Sequence, residues 1–247
     1  VVHRPSIFTP YPWLIAAEST RHGGVSSEPY ASLNLGLYTD DDPADIRENR
    51  RRFFGAIGTT ASQVAGARQV HGCEVHYVEE PGQYEGYDAL ITDRPGLFLT
   101  VTVADCTPIL LADIRRRSIA AIHAGWRGTI AGIVSKTMEA MRRHFGADPR
   151  DCRAYIGTCI DACSYEVDAD VADHFDDPFR QWDASRGKFL VDLKAANRTQ
   201  LIRQGVPTGQ IEISAHDTVR HNEDFFSHRK EKGHTGRMLA GIGMVVH

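Results

Sequence analysis

Two residues able to do chemistry, Cys106 and His123, each close a short apolar run inside residues 97–128, LFLTVTVADCTPILLADIRRRSIAAIHAGWRG. The runs are rich in Val, Ile and Leu and suit buried strands, with a polar turn over 113–118 that would pair the strands on either side. Cys106 is followed by Thr107-Pro108 and His123 by Ala124-Gly125, and a ligating or attacking side chain at a strand end is a common way to place chemistry at a sheet edge. A lone Cys or His is more often a packed core residue, but two at equivalent places favour a site. His71, before Gly72 at a predicted turn, adds a third group of the same kind. Cys, His and His suit zinc with one position left open, and the absence of a CxxC pair favours catalysis over stapling. Such an ion lowers the pKa of a bound water to roughly 7. Asp105, beside Cys106, is then a candidate proton acceptor or donor if the strand end is irregular, and otherwise a cap for the following turn. Copper is the competing metal, because one Cys and two His with a weak axial Met make a blue-copper centre. The four methionines, Met138, Met141, Met238 and Met244, lie in predicted core segments away from the three ligands. Without a metal, Cys106 activated by His123 is a nucleophile, with helix-start amides holding an oxyanion.

Several elements must position these groups. Residues 21–43 are dense in Gly, Ser, Asn and Asp and read as a long structured loop around Leu33 to Leu37. A helix is predicted from Pro43, capped by the preceding aspartates, with an apolar stripe of Ile46, Phe53, Phe54 and Ile57. Asn49 and Arg50 fill the gap in that stripe, so Arg50 either pairs with an internal carboxylate or awaits an anionic ligand. Residues 67–80 read as two strands joined at Gly72, and 86–93 as another strand. A single helix is predicted over 129–145. Gly125 and Gly128 before it let the backbone approach a ligand, with Arg127 beside them, and the first amides form an anion site. The alternative is a plain strand-to-helix turn with Trp126 packed on the core. Further on, RAYIG, KFLVDL, QIEIS and MLAGIGMVV read as strands, and SYEVDADVADHF and AANRTQLIRQG as helices. The alternation gives a mixed α and β protein, α+β in class, with early hairpins arguing against a regular doubly wound sheet.

The chain has 247 residues, 42% of them hydrophobic, enough for a sizeable core in one domain without disulfides. A net charge of −4 argues against nucleic acid as the main partner, since phosphate-backbone binding needs a concentrated basic surface. Five cysteines form no disulfide framework, so a reducing cytosol is the expected compartment and free thiols the expected state, Cys159 and Cys163 included. No apolar run approaches the roughly 20 residues that span a bilayer, and VVHRPS does not resemble a signal peptide. The chain opens on Val1 rather than Met, which leaves a trimmed segment before it open, and a monomer and a weak oligomer are equally open.

The segments RHGGVSSEPYASLNLG, DDDP…ENRR, QVHG, ADCTPILLAD and HAGWRG, in this order, resemble the YfiH family, also called the laccase-domain or multicopper polyphenol oxidase family. FFSHRKEKGHTGR extends the resemblance more weakly towards the end. The resemblance implies a zinc site from His71, Cys106 and His123. It also implies a single domain of layered mixed sheets and helices over 1–247, related to a cysteine-dependent toxin deamidase. The implied activity is phosphorolysis of adenosine, inosine or methylthioadenosine, with deamination of adenosine. Arg50 and the 125–129 helix start are then candidates to hold the phosphate dianion against the anomeric carbon, with Trp126 and Arg127 at the same edge. Asn34 and Gln69 are candidates for hydrogen bonds to ribose or base. The family's older name implies copper oxidation of phenols instead. A hydrolase or quality-control factor for cell-wall precursors, with Cys106 as nucleophile, and a non-catalytic metal module are further readings. Thr158 stands where the family often has Pro, Asp217 where Cys is common, and His228 and Lys230 where Tyr and Arg are expected, all in the C-terminal part of the site.

Overall fold

A strand that is apolar on both faces needs a layer on each side, and residues 97–128 supply three such strands. In the computed structural model, which describes residues 2–246, they are β7 (Phe98–Val103), β8 (Thr107–Asp113) and β9 (Ser118–Ala124). β8 and β9 pair antiparallel from Thr107 opposite Ala124 to Asp113 opposite Ser118, around the expected polar turn. β7 belongs to a different sheet.

The first sheet runs β1 (Val2–His3), β2 (Leu14–Ser19), β15 (Met238–Met244), β7, β3 (Val64–Arg68), β5 (Gly82–Glu85). The second runs β14 (Ile211–Ile213), β10 (Cys152–Ile156), β8, β9, β6 (Ala89–Thr92), β4 (Val75–Tyr77). They face each other across a core in which Leu99, Val101, Ala240 and Ile242 of the first meet Leu110, Ala112, Ile119 and Ala121 of the second. The alternate residues of the second sheet, Ile109, Leu111, Ala120 and Ile122, turn outward. There they pack under Ile133, Val134, Met138 and Met141 of α3 (Ile133–Phe145) and Leu201 of α5 (Leu193–Arg203). On the far side of the first sheet, Ala17, Phe98 and Leu239 carry Phe53, Phe54 and Ile57 of α1 (Pro43–Ile57). The layers are therefore helix, sheet, sheet, helix. A small third sheet, β11 (Glu166–Val167), β13 (Lys188–Val191) and β12 (Arg180–Asp183), packs with α4 (Ala169–Ala172) around Val167, Phe175 and Val191. No described helix is long and apolar enough to cross a membrane.

α1 begins as its sequence predicts: Asp42 accepts a hydrogen bond from the Ala44 amide, Pro43 fills the first turn, and Gly58 at φ 81° ends it. Its buried stripe includes Asn49, which the loop before α1 requires. The Asn49 carboxamide accepts from the Val25 amide at 2.8 Å and donates to Ser26 Oγ and to the Ser32 and Asn34 carbonyls. One helical side chain thereby fixes a loop without regular secondary structure.

Three expectations are corrected. Residues 67–80 do not form a hairpin: β3 lies in the first sheet and β4 in the second, and each pairs in parallel with a later strand, β3 with β5 and β4 with β6. The helix expected over 129–145 is broken at Gly132, φ 75°, a left-handed conformation that glycine adopts freely. This leaves a single turn, α2 (Trp126–Ile130), before α3. The helix expected over 164–175 is reduced to the one turn of α4, because Glu166 and Val167 pair with Leu190 and Phe189 of β13 instead.

Asn49→Ala should take the acceptor from the half-buried Val25 amide and the donor from the buried Asn34 carbonyl and lower the unfolding free energy by about 3 kcal/mol. Urea unfolding checks this, and a loss under about 0.5 kcal/mol, the usual range for surface changes, would contradict the role given to Asn49.

Candidate functional site

The candidate ligands come from three distant segments, and a buried carboxylate joins two of them. Asp88, just before β6, is 1% exposed. Its Oδ1 accepts from the His71 amide at 3.0 Å and lies 2.8 Å from His123 Nδ1. Its Oδ2 accepts from the amides of Val70 at 3.1 Å and Gly72 at 2.8 Å. The His123 amide in turn donates to the Asp88 carbonyl at 2.7 Å. Burial opposes the charge of Asp88, but His123 and these amides outweigh it and hold the carboxyl below its usual range. A carboxylate has only lone pairs to offer, so Nδ1 of His123 carries the proton and Nε2 is left for the site. The amides also hold His71 at φ 59°, a backbone conformation that a side chain rarely adopts without such support.

Cys106 reaches the same point from the link between β7 and β8, where Asp105 turns the chain at φ 91°. The ligating atoms of His71, Cys106 and His123 all lie within 4.8 Å of one another. The two rings stand edge to face with centroids 4.9 Å apart. Burial would raise the Cys106 thiol, but the charge of His123 and hydrogen bonds from both histidines bring it down to about 6. Burial likewise opposes the charge of His123, yet Cys106 and Asp88 lift the imidazole to about 9. A thiolate beside two imidazoles is a donor set for a borderline-soft divalent ion with an open position. Gly125 keeps the cluster clear, because a Cβ there would lie 3.2 Å from the His71 ring and 3.3 Å from Cys106 Sγ.

The cluster forms one wall of a cavity of about 530 Å³. Arg127, Arg229, Arg237 and His228 line it, as do the rings of Trp126, Tyr165 and Tyr38. Arg127 lies over the Trp126 ring at 4.2 Å and Arg229 over Tyr165 at 5.4 Å. Arg237 is half-buried, which lowers its pKa, and among the described residues no carboxylate pairs with it; its Nη1 donates to the Thr235 and Gly236 carbonyls. Among the described residues the one carboxylate in the lining is Asp105, and it is engaged on both oxygens. It accepts from Thr218 Oγ1 at 2.6 Å, Ser227 Oγ at 2.7 Å and the Arg229 amide at 2.6 Å. Asp105 thus fastens the segment that brings His228 and Arg229 to the cavity.

The other sequence candidates are spread more widely. Gln69 lines the cavity, but its carboxamide is clasped to Thr102, donating to the carbonyl and accepting from the amide, both at 2.8 Å. Asn34 is fully buried behind it, donating to Thr39 and Asp41 and accepting from the amides of Gly36 and Arg237. Arg50 has no carboxylate partner among the described residues. It donates to the Leu35 carbonyl at 2.9 Å, lies 5.0 Å over the Phe54 ring, and lines a small neighbouring pocket behind Tyr38 and Gln69. Burial pulls its guanidinium down to about 10. Gly128 faces Gly72, whose carbonyl a Cβ would meet at 2.7 Å. The anion site expected of a long helix start shrinks with the break at Gly132, because one turn of aligned peptides carries little of the macrodipole.

A family model described as multi-copper polyphenol oxidoreductase laccase matches residues 15–245. The chain belongs to this family, of which YfiH proteins are members. A purine nucleoside phosphorylase of Deinococcus radiodurans is 40% identical over 246 residues, 99% of this chain and 92% of that protein. The purine nucleoside phosphorylase YlmD of Geobacillus stearothermophilus is 36% identical over 95% of this chain and 91% of its own. The crystal structure of the Bacillus licheniformis hypothetical protein YfiH matches with a TM-score of 0.92 at 33% identity, covering 98% of this chain and 96% of that one. The layered mixed sheets are thus the architecture of the YfiH structures. Asp88, Tyr38, Tyr165, Arg229 and Arg237 are residues at the cluster and its cavity that sequence reasoning missed. Asp88 stands before a strand like any capping residue, and Tyr165 and Arg237 reach the cavity from segments far away in the chain.

Asp88→Asn keeps the size of the side chain but disturbs the proton arrangement at His123. Zinc affinity measured by competition with a chromogenic chelator should fall by about 10–100-fold. An affinity within about twofold of the parent protein would show that the carboxylate does not orient the ligands.

Proposed function

We propose that this protein is a zinc-dependent purine nucleoside phosphorylase acting on adenosine, inosine or methylthioadenosine, with deamination of adenosine as a second activity. The observation that carries the reading is the meeting, in one cavity, of a two-histidine, one-cysteine cluster, three guanidiniums and several aromatic rings. The names of the relatives support it. A zinc ion held by His71, Cys106 and His123 would supply Lewis acidity and positive charge at that wall.

In phosphorolysis the bond from C1′ to the purine nitrogen breaks, a phosphate oxygen bonds to C1′, and the purine leaves with the electron pair and takes up a proton. The chain's task is to hold a dianion against a carbon that is becoming positive. Arg237 is assigned the phosphate, because its guanidinium is half-buried and has no carboxylate competing for it. Arg127 and Arg229 add charge at the rim. Trp126, Tyr165 and Tyr38 offer faces for the purine. Asp105, held by three donors, positions Arg229 in this account, and Arg50 and Asn34 support the wall from behind.

Two other readings have a feature in their favour. The thiolate and imidazolium character of Cys106 and His123 suits a nucleophilic cysteine of a hydrolase, whose activity would survive chelation. The family description suits copper oxidation of phenols, although a reaction through several copper ions calls for several ligand sets, and the described residues bring together one.

Incubation with adenosine, inosine or methylthioadenosine should release the free base and the sugar 1-phosphate only when phosphate is present, and a chelator should abolish this. Arg237→Ala should raise KM for phosphate by about tenfold or more, the loss of a charge-assisted hydrogen bond, with a smaller change in KM for the nucleoside. No turnover of any purine nucleoside would refute the reading, and copper rather than zinc in protein as isolated would favour the oxidase.

A further inference from the structure

The five cysteines are placed very differently. Cys106 belongs to the ligand cluster, while burial pushes the Cys152 and Cys159 thiols up to about 12. Cys163 is exposed beside the Asp217 carboxylate at 3.7 Å, with Arg220 at 4.0 Å. Cys73 has an ammonium group at its sulfur: Lys136 Nζ lies 2.7 Å from Sγ. This is the short end of the range for hydrogen bonds to oxygen, although sulfur is the larger atom. A single oxygen atom bonded to both would fit with little movement of either backbone.

Both partners are held on ordered structure. Lys136 sits in the first turn of α3, its amide bonded to the Gly132 carbonyl at 2.9 Å. Cys73 packs against the core cluster under the same helix. The residue before it, Gly72, donates its amide to Asp88, and the residue before that is His71. The two reactive atoms therefore come from separate elements that the fold presses together, which removes most of the orientational cost of joining them. The pair is also open to small oxidants, since Cys73 is partly exposed and the contact lies at the surface.

We infer that Cys73 and Lys136 form an oxidative cross-link, a sulfur–oxygen–nitrogen bridge, that fastens the segment carrying His71 to α3. With dioxygen as the oxidant, the thiol S–H and two N–H hydrogens of the neutral amine and thiol pair are accounted for as follows. The O–O bond breaks, one oxygen forms the new S–O and O–N bonds, and the other leaves as water. One hydrogen stays on nitrogen and two leave in that water, and sulfur and nitrogen each give up two electrons to the two oxygen atoms. A thiol reductant reverses the link by attacking sulfur.

The test is mass spectrometry of the full chain after exposure to air or dilute peroxide, followed by peptide mapping. The expected result is a gain of one oxygen and a loss of two hydrogens, with the Cys73 and Lys136 peptides joined and separated again by reductant. Cys73→Ser and Lys136→Arg should each abolish the joined peptide, and Cys163→Ser should leave it unchanged. Oxidation of Cys73 by whole oxygen atoms alone, equal in the parent and in Lys136→Arg, would overturn the proposal. So would a free Cys73 thiol after exposure. In the cross-linked fraction, zinc loss to a chelator should be several-fold slower than in the reduced protein, and an unchanged rate would overturn the coupling to His71. None of these readouts depends on which substrate the cavity takes.

Discussion

The site depends on one buried carboxylate. Taking the Asp88 charge out of water costs several kcal/mol unless it is paired and hydrogen-bonded, and three backbone amides with the His123 ring supply that compensation. The groups that stabilise Asp88 are the same groups that must be positioned. The carboxylate gathers residues 70–72 and 123 to one place, supports the left-handed backbone at His71, and sets which nitrogen of His123 faces Cys106. It lines no part of the cavity, and yet the convergence of the three candidate ligands rests on it.

The two-sheet sandwich explains why the site lies where it does. The chain crosses from the first sheet to the second twice nearby, between β3 and β4 and between β7 and β8. The first crossing carries His71 and the second carries Asp105 and Cys106, while β9 beside β8 carries His123. Links between sheets are freed from ladder geometry, so they can take the positive φ of His71 and Asp105 and turn side chains into a common space. Arg229 and Arg237 are added to the cavity beside Arg127 from the C-terminal third, which the Asp105 carboxylate ties down through Thr218, Ser227 and the Arg229 amide. Of the departures, His228 lines the cavity, Lys230 lines a separate surface pocket with Arg21 and Glu231, and Asp217 is buried against Ser164 and Cys159; none of the three belongs to the His71, Cys106 and His123 cluster.

The legible part of this arrangement was the part written in local pattern. The β8–β9 pair, the cap and stripe of α1, the core face of α3 and the kinship of His71, Cys106 and His123 as metal-capable side chains could be read from alternation, capping residues and residue chemistry. The helix break at Gly132 was hidden by an apolar stripe that continues across it. The separation of β3 from β4 was hidden because adjacent strands were expected to pair with each other, while parallel partners later in the chain prevailed. Residue type leaves Arg50 open between an internal carboxylate and an anionic ligand, and the family resemblance makes Asn34 a candidate for substrate, but their partners, the Leu35 carbonyl and the Gly36 and Arg237 amides, are set by the folding of the loop before α1. Asp88 was silent because its four donors come from residues that only the tertiary fold brings near.

The central claim is that His71, Cys106 and His123 bind one metal ion together, and X-ray absorption at the metal edge tests it most directly. Protein purified without added metal should carry zinc coordinated by one sulfur and two imidazole nitrogens. The sulfur contribution should vanish in Cys106→Ala. A spectrum without sulfur in the parent protein, or one unchanged by Cys106→Ala, would contradict the account.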